Sequence, residues 1–269
     1  MTNPLEHPLV ADETSWPQAG AAPAGSASKE IHLAPVCEAL RSAFQPGTIK
    51  WQHAMALAKV AVRYHILSGA PIFRREARCD ALWLLGRGRA CVGIRDTQRR
   101  WLQCRSVHAG QWLDVASAWL GDSFLETAIA ETGVVIAYEF PVSDVQQLCR
   151  KSPAIAELLM SVLANRVRSS TESAHDLVAR DVPGRVAKWL LANAGRTGND
   201  ALELVMDRRK RALAAELNTS PETLSRALGR LRHLGLIAVD GYRIDILDPH
   251  ALRTFSGWGP RGESAEPAA

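Results

Sequence analysis

The spacing of apolar residues changes along the chain, and these changes divide it into regions. Soon after residue 31 apolar residues recur every three or four positions, as on one face of a short amphipathic helix, at Leu33, Val36, Cys37, Leu40 and Phe44. From Tyr64 to Phe140 the apolar segments are short and separated by glycines, which is typical of strands in an antiparallel roll or barrel. After Pro141 no glycine occurs until Gly184, and this gap favours helix.

One apolar stripe runs along this helical stretch. Ser152 and Pro153 suit the N-cap and the first position of a helix. The residues that follow at helical spacing are Ile155, Leu158, Leu159, Val162, Leu163 and Val167. Two interpretations fit this stripe: the helix packs against its own domain, or it pairs with the same helix of a second chain.

Residues 208–242 predict two helices joined by a tight turn and followed by a hairpin. Ser220 suits the N-cap of the second helix, Pro221 suits its first position, and Glu222 places a negative charge at the positive end of the helix dipole. Leucines spaced by three and four then bury one face of that helix. The Asp-Gly pair at 240–241, between two alternating segments, is a strong signal for a two-residue hairpin turn. This order of elements is a winged helix-turn-helix.

Charge is distributed unevenly along the chain. The 32 Lys and Arg against 28 Asp and Glu give a net charge of +4, which is too small to indicate a partner. Between Arg208 and Arg243, however, eight basic residues stand against three acidic ones, a local balance of +5. Phosphate contacts need such a patch, so we expect double-stranded DNA as the partner. Residues 110–140 show the opposite bias, with five acidic residues and no Lys or Arg.

Other features exclude several classes of protein. A chain of 269 residues, 47% of them hydrophobic, can bury a core in one or two domains. Its five cysteines include no C-x-x-C pair, which favours reduced thiols. No uncharged apolar run approaches the roughly 18 residues of a membrane span, and the first 28 residues carry no Lys or Arg, so we expect a cytoplasmic protein without membrane contact. Since catalytic motifs are missing, we do not expect an enzyme.

Three segments resemble the DNA-binding domain of Crp/Fnr-type transcription regulators. They are LAAEL at 213–217, SPETLSR at 220–226 and LGRLRHLGLI at 228–237. A glycine-punctuated roll followed by a long helix is also that family's order. A helix-turn-helix that serves protein contact is the competing interpretation, and the clustered arginines disfavour it.

Together, the patterns and the resemblance predict an α+β chain. Its parts are an N-terminal, jelly-roll-like β-roll that serves as sensor domain, a long dimerisation helix and a C-terminal winged helix-turn-helix. The predicted boundaries are a disordered tail at 1–30, a cyclic-nucleotide-binding-like β-roll at 31–140, the dimerisation helix at 141–180, the winged helix-turn-helix at 181–256 and a second tail at 257–269.

The resemblance implies a palindromic target, with one recognition helix per half-site in the major groove. The family's Glu-x-x-Ser-Arg pattern falls on Glu222, Ser225 and Arg226, which is similar to the Fnr and Dnr branch and implies a TTGAT-like half-site. The full set of residues expected at DNA is Ser220, Pro221, Glu222, Thr223, Ser225, Arg226, Arg230, Arg209 and Lys210.

The resemblance also favours the dimer interpretation of the long helix, because the family forms homodimers through it. The expected dimer residues are therefore those of the stripe, Ile155, Leu158, Leu159, Val162, Leu163 and Val167. RNA polymerase is a further partner that the resemblance allows.

The effector of the sensor domain stays open. Cyclic-nucleotide binding in the family needs an arginine for the phosphate, and the corresponding stretch has Glu126 instead, so this ligand is disfavoured. An iron-sulfur cluster is disfavoured because of the cysteines only Cys37 lies near the N-terminus. The alternatives left are a regulator without effector, a redox sensor, or a haem sensor. Candidate haem ligands are His53, His65 and His108, and candidate redox cysteines are Cys79, Cys91 and Cys104.

Overall fold

The structure is a computed structural model, and the residues that it describes are 25–28, 33–196, 202–206 and 210–257. The chain divides into two compact units. The first comprises Met1–Val92 and Val107–Leu159, and the second comprises Gly93–Ser106 and Met160–Ala269.

Three helices precede most of the strands of the roll: α1 (Leu33–Ala43), α2 (Gln45–Thr48) and α3 (Trp51–Ala58). The predicted amphipathic helix is confirmed as α1, whose buried residues Val36, Cys37, Ala39 and Leu40 follow the apolar spacing. Helix α1 lies against the sheet of the roll, where Phe44 just beyond its end meets the ring of Trp112 edge to face at 5.5 Å. The helix thereby closes one face of that sheet.

The roll has nine strands, which are β1 (Gly25–Ser28), β2 (Val62–Leu67), β3 (Pro71–Phe73), β4 (Ala81–Arg87), β5 (Arg89–Arg95), β6 (Trp101–His108), β7 (Gln111–Asp114), β8 (Thr127–Ala130) and β9 (Val134–Pro141). One sheet has the order β1-β2-β9-β4-β7, and the other has the order β3-β8-β5-β6. Neighbours such as β2 and β9 are antiparallel. The predicted antiparallel roll is confirmed.

Glycine makes the tight turn between β4 and β5. Gly88 is the single residue between these strands and has a φ of +86°. A Cβ at this position would lie 2.8 Å from Thr132 Oγ1, too close for an ordinary contact. The left-handed backbone and the crowding together explain why this turn needs glycine.

Strand β1 lies within the segment that the sequence predicts to be a disordered tail. Residues 1–30 were expected to be disordered, but Gly25 to Ser28 pair with β2 in the register Gly25–Ile66 to Ser28–Arg63. This strand forms by backbone pairing along the edge of β2, so its small residues gave no apolar signal. The rest of both predicted tails, except Gly257, lies outside the described residues.

Helix α4 (Ala116–Leu120) lies between β7 and β8, and two helices follow β9: α5 (Val142–Lys151) and α6 (Pro153–Ala179). Helix α6 begins at Pro153, where the sequence predicts a helix start, whereas residues 142–151 of the segment predicted as the dimerisation helix form the separate helix α5. Ser152 has an extended backbone, and the proline after it cannot donate the hydrogen bond that would continue α5.

The winged helix contains α7 (Val182–Asn193), β10 (Gly195–Arg196), β11 (Leu202–Val205), α8 (Lys210–Glu216), α9 (Pro221–His233), β12 (Ile237–Asp240), β13 (Arg243–Ile246) and α10 (Pro249–Phe255). Its sheet has the order β10-β11-β13-β12. One core joins all four helices through buried residues such as Leu190, Leu213, Leu228, Ile244 and Leu252. The predicted helix-turn-helix and hairpin are confirmed as α8, α9, β12 and β13. Within the described residues, none of the helices has the length and apolar character of a membrane span.

Candidate nucleic-acid interface

Helix α9 begins with a complete cap. The Ser220 Oγ accepts a hydrogen bond from the backbone N–H of Thr223 at 3.1 Å, and Pro221 occupies the first turn. Asn218 in the preceding turn has a φ of +50°, a conformation that asparagine tolerates better than most residues. Local chemistry therefore fixes where the helix starts and which residues its first turn exposes.

The two faces of α9 differ as the sequence predicts. Leu224, Ala227, Leu228 and Leu231 are buried in the core of the winged helix. Glu222, Ser225 and Arg226 are exposed, and their three- and four-residue spacing places them on one face. The Ser225 Oγ donates a hydrogen bond to the Pro221 carbonyl at 2.9 Å. The structure thus brings the three predicted reading residues together on one open surface.

Charge on this surface is held in place by hydrogen bonds. The Arg226 Nη2 donates to the Thr223 Oγ1 at 3.1 Å. The pKa of the Glu222 carboxyl is lowered by its own backbone N–H, by the Ser220 hydroxyl, and then by the positive charges of Arg211 and Arg226. The ionised form of the Glu222 carboxyl is therefore favoured near the start of α9, where the Thr223 hydroxyl also holds the Arg226 side chain.

The remaining predicted DNA residues have different settings. Arg230 is also exposed, but its Nη1 lies 3.5 Å from the Asp181 Oδ2 and its guanidinium lies 5.6 Å from the centre of the Phe255 ring. Lys210 is the exposed first residue of α8, whereas Arg209 lies outside the described residues. Contact of these three residues with DNA stays a prediction.

Sequence reasoning placed the start of the winged helix at 181 but missed the capping role of the residue there. Asp181 caps α7, since its Oδ1 accepts from the Gly184 N–H at 2.9 Å. Its other oxygen faces Arg230, so one carboxylate serves the start of α7 and a side chain of α9. The signal was present in the sequence: an aspartate two positions before Pro183 marks a helix start.

The residues of the predicted dimer stripe differ in exposure, and their role in a dimer stays a prediction. Ile155 and Leu159 are only 1% and 3% exposed in the single chain. Leu158, Val162 and Leu163 are half-buried, and Val167 is exposed. Beyond Leu159 nearly all residues of α6 are exposed, all except the half-buried Val162, Leu163 and Asp176. One line at alternating spacings of three and four comprises Met160, Leu163, Val167, Ser170, Ala174 and Leu177. We call these six residues the α6 seam.

Acidic side chains of residues 110–140 in the roll accept hydrogen bonds from other residues of the chain. Asp114 accepts from the Ser117 backbone N–H at 2.9 Å and from the Ser117 Oγ at 2.8 Å, and so caps α4. The Tyr64 hydroxyl donates to the Glu139 Oε2 at 2.6 Å. Burial, more than any neighbouring group, raises the pKa of the Glu139 carboxyl. This stretch therefore concentrates acidic groups where the family pattern would place a cation for a phosphate.

The three candidate haem ligands lie on separate elements. His53 is in α3, His65 in β2 and His108 at the end of β6. Among the described residues, no three His, Cys, Asp or Glu side chains come together as metal ligands would.

The candidate redox cysteines Cys79, Cys91 and Cys104 are buried. Burial raises the pKa of the Cys79 thiol to about 12, which keeps it protonated and unreactive at neutral pH. The setting of Cys79 is therefore that of a core residue.

Comparison with known proteins agrees with this geometry. The family model described as "Crp-like helix-turn-helix domain" matches residues 184–255. The CRP-like cAMP-activated global transcriptional regulator of Mycobacterium tuberculosis is 39% identical over 103 residues, which are 37% of this chain and 46% of that protein. The electron transport regulator A of Shewanella oneidensis is 30% identical over 130 residues, 47% of this chain and 51% of that protein. The chain thus spans about half the length of these curated relatives.

Solved structures extend the likeness in fold beyond that domain. FixK2 of Bradyrhizobium japonicum has a TM-score of 0.60 at 18% identity, with 73% of this chain and 97% of that one covered. A CooA mutant of Carboxydothermus hydrogenoformans has a TM-score of 0.62 at 17% identity, with 74% and 88% covered. The chain therefore carries a Crp-like helix-turn-helix domain, and its resemblance to Crp/Fnr-type regulators is confirmed.

Proposed function

We propose that this chain is a DNA-binding transcription regulator that reads a palindromic, TTGAT-like site as a homodimer. One observation carries the proposal: Glu222, Ser225 and Arg226 form an open row on α9, whose opposite face is buried in the winged-helix core. A capped helix with a rigid polar face is the element that helix-turn-helix proteins place in the major groove.

The chemistry of the row matches the proposed half-site. A TTGAT sequence contains a single G·C pair. An arginine can donate two hydrogen bonds to guanine O6 and N7, and a carboxylate can accept one from cytosine N4. Arg226 and Glu222 therefore suit the two edges of that pair, and the small Ser225 leaves the neighbouring bases room.

Binding to matched duplexes tests this proposal. We expect the protein to bind an inverted TTGAT repeat, with half-site centres one helical turn apart, roughly a thousandfold or more tighter than a scrambled duplex. We also expect affinity to fall steeply as salt rises from 50 to 200 mM, as phosphate contacts require. Equal affinity for both duplexes, or binding that ignores salt, would contradict the proposal and favour a protein-contact role.

Dimerisation is the second part of the proposal, and the α6 seam supports it. Its residues repeat with the heptad spacing that lets two helices pair side by side. Met160, Val167 and Leu177 are 66%, 67% and 43% exposed in the single chain, although all three are apolar. Pairing with a second α6 would remove this surface from water.

A charge placed in the seam tests the dimer. Val167→Lys should shift the protein from dimer to monomer in sedimentation velocity, because the lysines of two chains would face each other in an apolar contact. The matched control is Val178→Lys, which adds the same charge to the same helix outside the seam at a residue that is 92% exposed. A dimer that survives Val167→Lys, or a wild-type monomer, would exclude this interface.

A cyclic nucleotide is disfavoured as the effector of this chain. The stretch from 110 to 140 has five acidic residues and no Lys or Arg, so a phosphate there would meet only negative side chains on that segment. The cAMP activation in the name of the Mycobacterium tuberculosis relative belongs to that protein.

A further inference from the structure

A line of hydroxyl groups connects the cap of α9 to its reading residues. The Ser220 Oγ lies 3.1 Å from the Thr223 Oγ1, which in turn lies 3.1 Å from the Arg226 Nη2. The same Ser220 oxygen accepts the Thr223 backbone N–H. The helix start and the guanidinium are thus joined through the one hydroxyl of Thr223.

Chemistry fixes the direction of the hydrogen bond to the guanidinium. A guanidinium only donates, whereas a hydroxyl donates once and accepts twice. Arg226 therefore donates to the Thr223 Oγ1, which can in addition either donate to the Ser220 Oγ or accept from it.

We propose that Thr223 is a positioning residue for sequence reading, which holds the Arg226 guanidinium in its reading orientation and links it to Ser220, the cap of α9. This inference rests on the proposed function. An arginine side chain has many rotamers, and a base contact restricts it to one of them at a cost in conformational entropy. Fixing the side chain before binding removes part of that cost. The hydroxyl of Thr223 carries no charge, so this contact itself does not neutralise the guanidinium that donates to guanine.

Thr223 could act in a simpler way, as a direct donor to a DNA phosphate, and the two roles differ in what they change. A phosphate contact contributes equally to every DNA sequence. A positioning contact changes the preference for one base pair and leaves binding to unrelated DNA as it was. Discrimination between duplexes separates these roles, whereas affinity for one duplex does not.

The decisive variant is Thr223→Val, which keeps the shape of the side chain and removes its hydroxyl. We expect wild-type affinity for a scrambled duplex, an unchanged salt slope, and a roughly tenfold smaller preference for the palindrome over a duplex with its G·C pairs replaced by A·T. Thr223→Ser should restore the preference. Thermal melting should match wild type, because the Ser220 Oγ still caps the Thr223 N–H. Should Thr223→Val fold poorly, Thr223→Ala must give the same loss of preference.

Three outcomes would overturn the inference: unchanged discrimination in a folded Thr223→Val, failure of Thr223→Ser to restore it, or uniform weakening with a smaller salt slope, which would indicate a phosphate contact. A wild-type protein without any preference for the palindrome would instead overturn the proposed function itself. The wild-type measurement therefore separates the two failures.

Discussion

The winged helix and the β-roll treat the same ionisable side chain in opposite ways. Glu222 is exposed at the start of α9, where its backbone N–H, a hydroxyl and two arginines lower the pKa of the carboxyl. Glu139 is half-buried in β9, where loss of water raises the pKa despite the hydrogen bond from Tyr64. The exposed position of Glu222 therefore favours the ionised form of its carboxyl, whereas burial in the roll favours the protonated form of Glu139.

Arginines differ between the two regions in the same sense. In the roll, Arg89 pairs with Glu131 at 3.0 Å, while Arg100 in the hairpin of β5 and β6 pairs with Asp96 at 2.8 Å. On α9, Arg226 is positioned by the neutral hydroxyl of Thr223. Charge is balanced locally in the first two cases, and in the third it stays available for an anionic partner. Substitutions in the roll should therefore change stability without changing DNA recognition, and substitution of Arg226 should do the reverse.

The largest expected effect is on recognition alone. Arg226→Ala should remove about 1–3 kcal/mol of base discrimination at each half-site, hence about 2–6 kcal/mol across a palindrome, and leave thermal stability near wild type. Anisotropy titrations with the palindrome and a scrambled duplex would measure the loss. Arg232→Ala is the matched control, since Arg232 is an exposed arginine of the same helix outside the reading row. Equal losses in both variants would show that Arg226 contributes only charge.

A smaller effect, on stability alone, is expected in the roll. Tyr64→Phe removes the hydrogen bond to Glu139 and should lower the free energy of unfolding by about 1–3 kcal/mol, because a buried acceptor loses its donor. Urea unfolding would measure the change, and DNA discrimination should stay at the wild-type level. Loss of discrimination in this variant would break the separation between the two regions.

The raised pKa of Glu139 has its own signature in pH. The folded protein retains this proton above the ordinary pKa of 4.5, so between 4.5 and the folded value it binds more protons than the unfolded chain. Stability attributable to Glu139 therefore falls as pH rises through that window. Glu139→Gln, which keeps an acceptor for Tyr64, should flatten this fall in urea unfolding curves. Glu38→Gln, at an exposed residue of α1, should leave the fall unchanged.

The smallest expected effect lies at the start of α7. Asp181→Ala should lower the free energy of unfolding by about 1 kcal/mol, because the cap of the Gly184 N–H is lost. Asp181→Asn keeps a capping oxygen and loses only an exposed ion pair with Arg230, so it should lie close to wild type. A large loss in Asp181→Asn would mean that the charge, rather than the cap, holds this junction together.

The sequence could predict what local chemistry decides. The cap at Ser220 and the leucine spacing of α9 depend only on near neighbours, and both are correct in the structure. The hairpin predicted from Asp240 and Gly241 also forms, but its two-residue turn lies one position later, at Gly241 and Tyr242. Strand β1 forms by pairing with a distant edge, and the core contacts of α7 and α10 come from the other end of the domain. Such elements carry little local signal, and sequence reasoning missed them.

The features of the candidate site also differ in whether local or distant contacts decide them. Grouping Glu222, Ser225 and Arg226 needed only helical periodicity, so it was predictable. The burial of Ile155 and Leu159 depends on contacts from elsewhere in the chain, so the apolar stripe alone did not show which of its residues stay exposed. The link from Arg226 through Thr223 to Ser220 depends on rotamers, which a sequence does not record.

The shared hydroxyl of Ser220 also constrains how this protein can acquire new targets over evolutionary time. An aspartate at 220 would still cap α9 but would place a negative charge beside the Thr223 hydroxyl that holds Arg226, so the substitution would affect the helix start and the reading residues in one mutational step. Ser225 lies outside that line, and its hydroxyl bonds only to the Pro221 carbonyl among the hydrogen bonds described. Changes of target preference should therefore accumulate first at position 225. Ser220 and Thr223 should be among the last residues near the start of α9 to vary.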